Sequence, residues 1–335
     1  EGLDLNRDFI KAESPECRAL LGVYRAIDPH LMLDLHTTNG SKHGYHLPSA
    51  PCLSPNQDPD LAAFATDVQL PEVRREVYAN HLFRTFDYGN YSARRLEAGW
   101  RTFDHRPRFA TNYYGLRNRL SVLSEAYSYQ PFEVRVRATR AFLIENLRTA
   151  HRHTQTIAAL CAKADARAKG LSEPRPLFPS STGFAPGTPT AILTTDLERL
   201  ELEGLGTRLR VKPGFKPKEM PAAVSFRPEV RTPLPKGWIV TGPTKRVPQD
   251  RAHHGIEFSS LTARKGMMVE VYEVMSFKRA PRPFQNHRPV TIKGPYVKQA
   301  MDVPLGALFV SAEQPLARLA AQLLEPLSED SLTTW

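Results

Sequence analysis

The chain has 335 residues, of which 41% are hydrophobic and 9% aromatic, a composition that is typical of globular proteins and argues against bulk disorder. Its 45 Lys and Arg against 35 Asp and Glu give a net charge of +10, but the arginines are scattered and no nucleic-acid-binding motif is present, so nucleic acid is not expected as a partner. No stretch reaches the roughly eighteen apolar residues of a membrane span, and three widely spaced cysteines predict neither a disulfide framework nor a cysteine zinc cluster, although one bridge could form.

The first half of the chain alternates patterns typical of strands with patterns typical of helices. A short alternation of apolar and acidic residues predicts a strand that ends at Asn6 and Arg7. The segments that follow are, in chain order, a helix over 14–27 capped by Ser14, a buried strand over 31–36, a long surface loop over 37–58, helical segments over 60–83 split at Pro71, a strand over 119–126, and a helix from Pro131 towards Ala168. This alternation predicts an α/β fold built on an open, mostly parallel sheet with flanking helices.

The second half of the chain has a different character. Residues 170–190 are rich in proline, serine and glycine, so we expect a linker there. Beyond it, short apolar runs alternate with prolines, which predicts a smaller, mostly β domain over 191–335. The sequence thus predicts three parts: an α/β domain over 1–169, the linker and the β domain.

Polar side chains stand at the predicted ends of three strands. They are Asn6 with Arg7, His36, and Glu125. Because the carboxyl ends of parallel strands meet at one edge of a sheet, we expect these groups to share one cleft. A guanidinium, an imidazole and a carboxylate that converge in a cleft favour metal-assisted hydrolysis, although each residue alone is more often an ordinary polar or ion-paired group.

The local sequences around these residues resemble a known family. DLNRDF, DLHTTNG and NYYGLRNRLSVLSEAYSY occur in the order found in the second half of zinc carboxypeptidases of the M14 family, over roughly residues 1 to 168. The resemblance implies that His36 is the third zinc ligand and that Glu125 is the general base and acid. It further implies that Asn6 and Arg7 bind the terminal carboxylate of a peptide, and that Asp4 orients a zinc-bound histidine.

Further candidates for substrate contact lie shortly before Glu125. The family uses a mobile tyrosine and additional arginines in this region, so the resemblance implies substrate-binding roles for Tyr113, Tyr114 and Arg117, with packing under a loop as the alternative. His43 and His46 could be mistaken for metal ligands, but His36 already matches the ligand position. We expect a substrate-contacting or surface role for these two histidines.

The sequence departs from the family at the first two zinc ligands. These come from an HxxE motif ahead of the Asn-Arg pair, and we therefore expect the chain to begin within the catalytic domain. The one HxxE here, His254 to Glu257 in HHGIEF, lies far downstream and is better interpreted as a turn into a strand. One zinc ion with an incomplete ligand set is the cofactor that the resemblance implies, and the chain by itself is expected to be inactive.

The leading hypothesis is a metallocarboxypeptidase, a hydrolase whose partners are the C-termini of peptides or proteins. Two alternatives stay open. One is a zinc amidohydrolase that deacylates acylated amino acids, which could share the metal, the glutamate and the carboxylate-binding arginine. The other is a non-catalytic protein that binds peptide termini. Localisation is not determined by the sequence, and a periplasmic or secreted location is favoured only because many related enzymes are exported.

Overall fold

A computed structural model describes residues 2–92, 95–170, 177–202, 204, 206–241 and 253–335. The fold is mixed α/β: helices and one four-stranded sheet form the first half, and several small sheets, mostly antiparallel, form the rest. The helices are α1 (Pro15–Ile27), α2 (Pro59–Ala63), α3 (Leu70–His81), α4 (Ala110–Leu116), α5 (Phe132–Arg152), α6 (Thr154–Lys169) and α7 (Ala317–Leu324). Short 3-10 helices span Leu5–Arg7 and Leu96–Ala98, and a π-helical segment spans Phe64–Gln69.

The strands of the first half are β1 (Leu31–Thr37), β2 (Leu47–Pro51), β3 (Thr85–Asp87), β4 (Trp100–Arg101) and β5 (Leu120–Ala126). Those of the second half are β6 (Leu177–Phe184), β7 (Thr188–Thr194), β8 (Leu197–Leu202), β9 (Gly206–Val211), β10 (Lys216–Ala223), β11 (Phe226–Pro233), β12 (Gly237–Val240), β13 (Ser259–Ser260), β14 (Arg264–Tyr272), β15 (Ser276–Arg279), β16 (Val290–Lys293), β17 (Tyr296–Val303) and β18 (Leu308–Ser311).

The predicted helix over 14–27 is confirmed as α1, and its ends follow from its sequence. The Ser14 side chain accepts a hydrogen bond from the backbone N–H of Cys17, and Pro15 occupies the first turn, where its missing N–H is not needed. The helix ends at Asp28, which has a left-handed backbone with φ of 46°. Leu21 and Tyr24 bury one face of α1 in the core.

The central sheet has the strand order β1-β5-β2-β3. The predicted strands at 31–36 and 119–126 are confirmed as β1 and β5, which pair in parallel, as do β2 and β3. The prediction of a mostly parallel sheet holds only in part, because β2 runs antiparallel to β5 and most of the smaller sheets are antiparallel. Helices α3 and α5 cover the sheet through an apolar cluster of Leu47, Leu70, Val73, Val77, Val122, Ala138 and Phe142.

Two segments of the first half differ from the sequence prediction. Residues 37–58 are not one surface loop, since they contain β2, whose first four residues are buried. The helical region before His81 is not broken at Pro71 either. Pro71 stands in the first turn of α3, and the chain reaches that turn through the π-helical segment Phe64–Gln69.

The predicted linker also differs from the structure. Residues 171–176 lie outside the described part of the chain, but 177–184 form β6, which pairs with β11, and β7 begins at Thr188. The predicted β-rich character of the second half is confirmed. Its residues do not all form a core of their own: Ile256, Val310, Leu319 and Leu323 join one apolar cluster with residues of the first half that include Phe9, Leu21 and Tyr113.

One long hairpin dominates the second half. Strands β14 and β17 pair, strands β15 and β16 pair, and backbone hydrogen bonds from Glu273 to Pro295 and from Met275 to Lys293 join the two ladders into one. The long hairpin therefore runs from 264 to 303, and its tip is the turn at 284–287. Within the described ranges, no helix is long and apolar enough to cross a membrane.

Candidate functional site

A cleft of about 250 Å³ lies at the carboxyl ends of β1 and β5. The structure brings into it side chains from separate parts of the sequence. The lining residues are Asp4, Asn6, Arg7, His36, Thr37, Asn39, Tyr88, Phe103, Phe109, Thr111, Leu123 and Glu125. Among them are the four residues that the sequence assigned to strand ends, namely Asn6, Arg7, His36 and Glu125.

His36 and Glu125 come together because their strands are in register. The two residues are partners across the parallel pairing of β1 with β5. His36 Nε2 donates a hydrogen bond of 2.7 Å to Asp34 Oδ1, and this bond raises the pKa of the imidazole. Because Nε2 is bonded to Asp34, Nδ1 is the ring nitrogen of His36 that remains for a ligand. Metal-binding histidines typically have one ring nitrogen bonded to a carboxylate in this way.

Glu125 is a buried carboxyl group without a hydrogen-bond partner on one oxygen. The residue is 9% exposed, and its Oε2 is buried and unpaired in the described structure. Burial raises the pKa of the carboxyl group to about 7; His36 opposes this shift and Asp34 adds to it. A carboxyl group whose pKa is near neutrality can both take up and release a proton, which general acid–base chemistry requires.

Asn6 and Arg7 do not follow a strand, so the predicted strand before them is wrong. They belong to the 3-10 helix Leu5–Arg7, which forms because the Asp4 side chain accepts a hydrogen bond from the Asn6 N–H. Asn6 Oδ1 in turn accepts a hydrogen bond of 3.0 Å from the N–H of Ala110, the first residue of α4. The Asn6 amide oxygen is thus used by the fold, and its Nδ2 is the donor left for a ligand.

Arg7 is held in part by contacts at one nitrogen. Its Nη1 donates to the Asn6 carbonyl at 2.7 Å and lies 3.7 Å from Asp4 Oδ2, while the guanidinium stacks over the Phe109 ring at 4.2 Å. In the described residues, Nε and Nη2 make no hydrogen bond. A guanidinium that is stacked and partly anchored presents its remaining donors in a fixed direction, which suits a carboxylate.

The role implied for Asp4 is not the one that its contacts favour. Asp4 caps the 3-10 helix and lies near Arg7, and among the described residues it makes no contact with a histidine. The carboxylate that touches His36 is Asp34, which sequence reasoning missed as a site residue. Its signal was the i, i+2 spacing, since alternate residues of a strand point to the same face.

Tyr113, Tyr114 and Arg117 lie outside the cleft, so substrate contact by these three side chains is not supported. All seven residues of α4 are buried, and both tyrosines pack against Phe9 in the core. Arg117 Nη1 donates to the backbone oxygen of His254 at 2.6 Å. The aromatic side chains that do line the cleft are Tyr88, Phe103 and Phe109, and no sequence motif distinguished them from neighbouring aromatics.

The other histidines considered as metal ligands make hydrogen bonds or packing contacts outside the cleft. His254 Nε2 donates to the Ile10 carbonyl at 3.1 Å, and its Nδ1 accepts from Tyr113 Oη at 2.8 Å, so neither ring nitrogen is left for a metal. His43 is buried against Trp100 and does not line the cleft, so neither the expected surface role nor substrate contact in this cleft is supported, and burial lowers its pKa to about 4. His46 Nδ1 accepts a hydrogen bond from the Arg84 N–H.

A catalytic zinc needs more ligands than this cleft provides. Three protein ligands are usual at such sites, and His36 is the one histidine among the described residues that line the cleft. No group of three or more His, Cys, Asp or Glu able to hold a metal ion occurs in the part of the chain that the structure describes. The residues present therefore do not by themselves fit a catalytic zinc ion.

Comparison of the chain with protein-family models, with curated proteins and with solved structures finds no match.

Proposed function

We propose that the cleft binds the free C-terminus of a peptide and that it is the carboxylate-binding and acid–base part of a carboxypeptidase site resembling those of the M14 family. One observation carries the proposal. Residues from three separate segments, each predicted from the sequence as a site residue, line one cleft of about 250 Å³. Chance proximity of Arg7, His36 and Glu125 is a poor explanation, since they are separated by 29 and 89 residues in the chain.

Each group in the cleft has a distinct chemical task in this proposal. Arg7, whose Nε and Nη2 make no hydrogen bond to the described residues, pairs with the terminal carboxylate of the substrate, and Asn6 adds a donor. Glu125 accepts a proton from the attacking water and returns it to the leaving amine. Leu123, Phe103 and Tyr88 form the smaller, apolar part of a lining that is mostly polar.

The described residues supply only part of the ligand set that a catalytic metal ion would need. His36 is the candidate ligand, held at Nε2 by Asp34. Two further protein ligands would have to come from outside the described residues. Strand β1 stands at the end of the sheet order, and among the described strands only β5 pairs with it, so a further strand could pair with its other edge near His36.

A second candidate function is favoured by the same incompleteness. A non-catalytic protein that binds peptide C-termini would need Arg7 and Asn6 but no metal. This alternative explains directly why only one histidine is found among the described residues of the cleft, because binding without catalysis needs no metal ligands. A deacylating amidohydrolase would also bind a carboxylate, and substrate profiling of an active form separates it from a carboxypeptidase.

The proposal is tested by calorimetric titration of the purified chain with one short peptide in two forms, the free acid and the C-terminal amide. Both forms have the same side chains, so a difference in affinity reports on the carboxylate alone. We expect the free acid to bind roughly ten- to 150-fold more tightly, which corresponds to about 1.5 to 3 kcal/mol for a charge-assisted pair. Equal affinity for the two forms would contradict the proposal.

A further inference from the structure

The tip of the long hairpin contacts Asp4, a residue that lines the cleft and lies near the other end of the chain. Gln285 Oε1 accepts a hydrogen bond of 2.8 Å from the backbone N–H of Asp4. The two residues are 281 positions apart in sequence. Asp4 lines the cleft, so the hairpin reaches the segment that carries the candidate carboxylate-binding residues.

The backbone at the tip is strained at this residue. Gln285 has φ of 50° and Asn286 has φ of 63°, so two successive residues adopt the left-handed conformation. Asparagine tolerates that conformation, but glutamine has no local hydrogen bond that favours it, and glycine is the residue usually found there. The left-handed backbone at both positions is the geometry of a two-residue hairpin turn, so the hydrogen bond to the distant Asp4 is the observation that suggests a positional role for Gln285.

A short relay connects Gln285 to Arg7. Gln285 fixes the Asp4 N–H, and the Asp4 side chain then accepts the Asn6 N–H at 2.9 Å and lies 3.7 Å from Arg7 Nη1. These contacts set the 3-10 helix Leu5–Arg7. The direction of the Arg7 guanidinium therefore depends on where Gln285 holds Asp4.

The tip is itself anchored, so it can act as a fixed support. His287 Nε2 donates to Glu13 Oε2 at 2.8 Å, and the Phe284 ring stacks on Trp335 at 6.2 Å. The ring of Trp335 also lies 4.7 Å from Lys11 Nζ. These contacts fix the hairpin to the segment that follows Arg7 as well as to the one that precedes it.

Lys11 holds the other end of the turn that carries Asn6 and Arg7. Lys11 is 1% exposed, and its Nζ donates to the Arg7 carbonyl at 2.7 Å and lies 3.5 Å from Asp8 Oδ1. The turn that carries Asn6 and Arg7 is thus held at its start by the hydrogen bond from Asp4 to Gln285 and at its end by the hydrogen bond from Lys11. Trp335 contacts both Lys11 and the hairpin tip.

We propose that Gln285 is a positioning residue that holds the Asp4–Arg7 turn in the geometry that binds a carboxylate. This inference rests on the proposed function, since it concerns the same cleft. It adds a role for the second half of the chain: the long hairpin supports the substrate-binding turn of the first half. Gln285 does not touch the substrate and acts through Asp4.

Two glycine substitutions at neighbouring positions test the inference. Gln285→Gly relieves the left-handed strain and removes the acceptor for the Asp4 N–H. Asn286→Gly relieves the same kind of strain at an exposed residue and leaves that hydrogen bond in place, so it is the matched control. The readouts are calorimetric affinity for the free-acid and amidated forms of one peptide, together with the melting temperature of each variant.

We expect Gln285→Gly to lose about three- to tenfold in affinity for the free acid, with no change for the amide and no fall in melting temperature. Asn286→Gly should retain the affinity of the unmodified chain. If the unmodified chain prefers the free acid and Gln285→Gly binds it equally well, the positioning role is overturned while the carboxylate site stands. If the unmodified chain shows no preference, both the site and the positioning role are overturned. A loss in Gln285→Gly that is equal for both peptide forms, or accompanied by a lower melting temperature, would overturn positioning in favour of a structural role.

Discussion

His36 and Glu125 are directly opposite each other on two parallel strands. The register of β1 with β5 fixes this pairing, which runs from Leu31 opposite Leu120 to Thr37 opposite Ala126. A slip of one residue would turn either side chain to the other face of the sheet. The apolar residues of both strands fix this register, and the register in turn places the His36 imidazole beside the buried Glu125 carboxyl group.

Glu125→Gln tests the acid–base role of the carboxyl group. The amide has nearly the same shape but cannot accept a proton, so turnover should fall by about 100-fold or more in a catalytically competent form that contains this chain. Binding of a free-acid peptide should be retained, because Arg7 supplies that contact. The measurement is steady-state turnover together with calorimetric affinity, and an active Gln variant would place the base elsewhere.

The metal content of the purified chain is a separate prediction. One histidine cannot hold catalytic zinc, so we expect less than one tightly bound zinc per chain after exhaustive dialysis. Elemental analysis of the unmodified chain and of His36→Ala measures it. A stoichiometric zinc that is lost in His36→Ala would show that ligands outside our assignment complete the site.

The strands that carry the site could be predicted from sequence, but several of the surrounding elements could not. LMLDLH and LSVLSEA are compact apolar runs between turn signals, and both became strands that bring His36 and Glu125 together. Strand β2 was missed because LPSAP contains prolines at 48 and 51, which are unusual within a sheet. Its residues form a strand because burial outweighs their low propensity.

Side-chain direction was the other quantity that the sequence could not supply. Tyr113 and Tyr114 are close to Glu125 in sequence, yet α4 turns both into the core. The 3-10 helix at Arg7 depends on a cap from Asp4, and that cap is supported by Gln285, 281 residues away. Contacts at such separations are set by tertiary packing and leave no local pattern.

The buried His254 should make the protein less stable in acid. Burial, with the charge of Arg117 adding to it, lowers the pKa of His254 from 6.5 to about 3. The unfolded chain takes up a proton near pH 6.5 and the folded chain does not, so stability is full above that pH and falls as the pH drops towards 3. The slope is up to about 1.4 kcal/mol per pH unit.

His254→Gln isolates this contribution. The variant should be less stable at pH 7, because hydrogen bonds to Tyr113 and Ile10 are weakened, but its stability should change less between pH 7 and pH 5. Urea unfolding at both pH values gives the comparison. An identical change in the variant and the unmodified chain would assign the acid sensitivity to other groups.

The ion pair between Arg108 and Asp330 should be important for stability. Both side chains are nearly inaccessible, with 7% and 0% exposure, and Arg108 Nε donates to Asp330 Oδ2 at 2.9 Å. Asp330→Asn leaves a buried guanidinium without its counter-charge, and we expect a loss of about 3 to 5 kcal/mol in unfolding free energy. The control is Glu133→Gln, which removes one partner of an exposed pair with Arg137 and should cost at most about 1 kcal/mol. Equal effects in urea unfolding would contradict this assignment.

Arg7 is predicted to recognise the carboxylate of the ligand rather than to stabilise the fold. Arg7→Ala should lose roughly ten- to 150-fold in affinity for a free-acid peptide and almost nothing for the amide. Arg7→Lys should recover only part of the loss, because an ammonium group cannot reproduce the planar, bidentate guanidinium. Arg137→Ala, which removes an exposed arginine of α5, is the matched control and should change neither affinity.

The opposing explanation is that Arg7 serves only its contacts with Asp4 and Phe109. That explanation requires a lower melting temperature and an equal loss for both peptide forms, so parallel titrations and melting curves decide between the two.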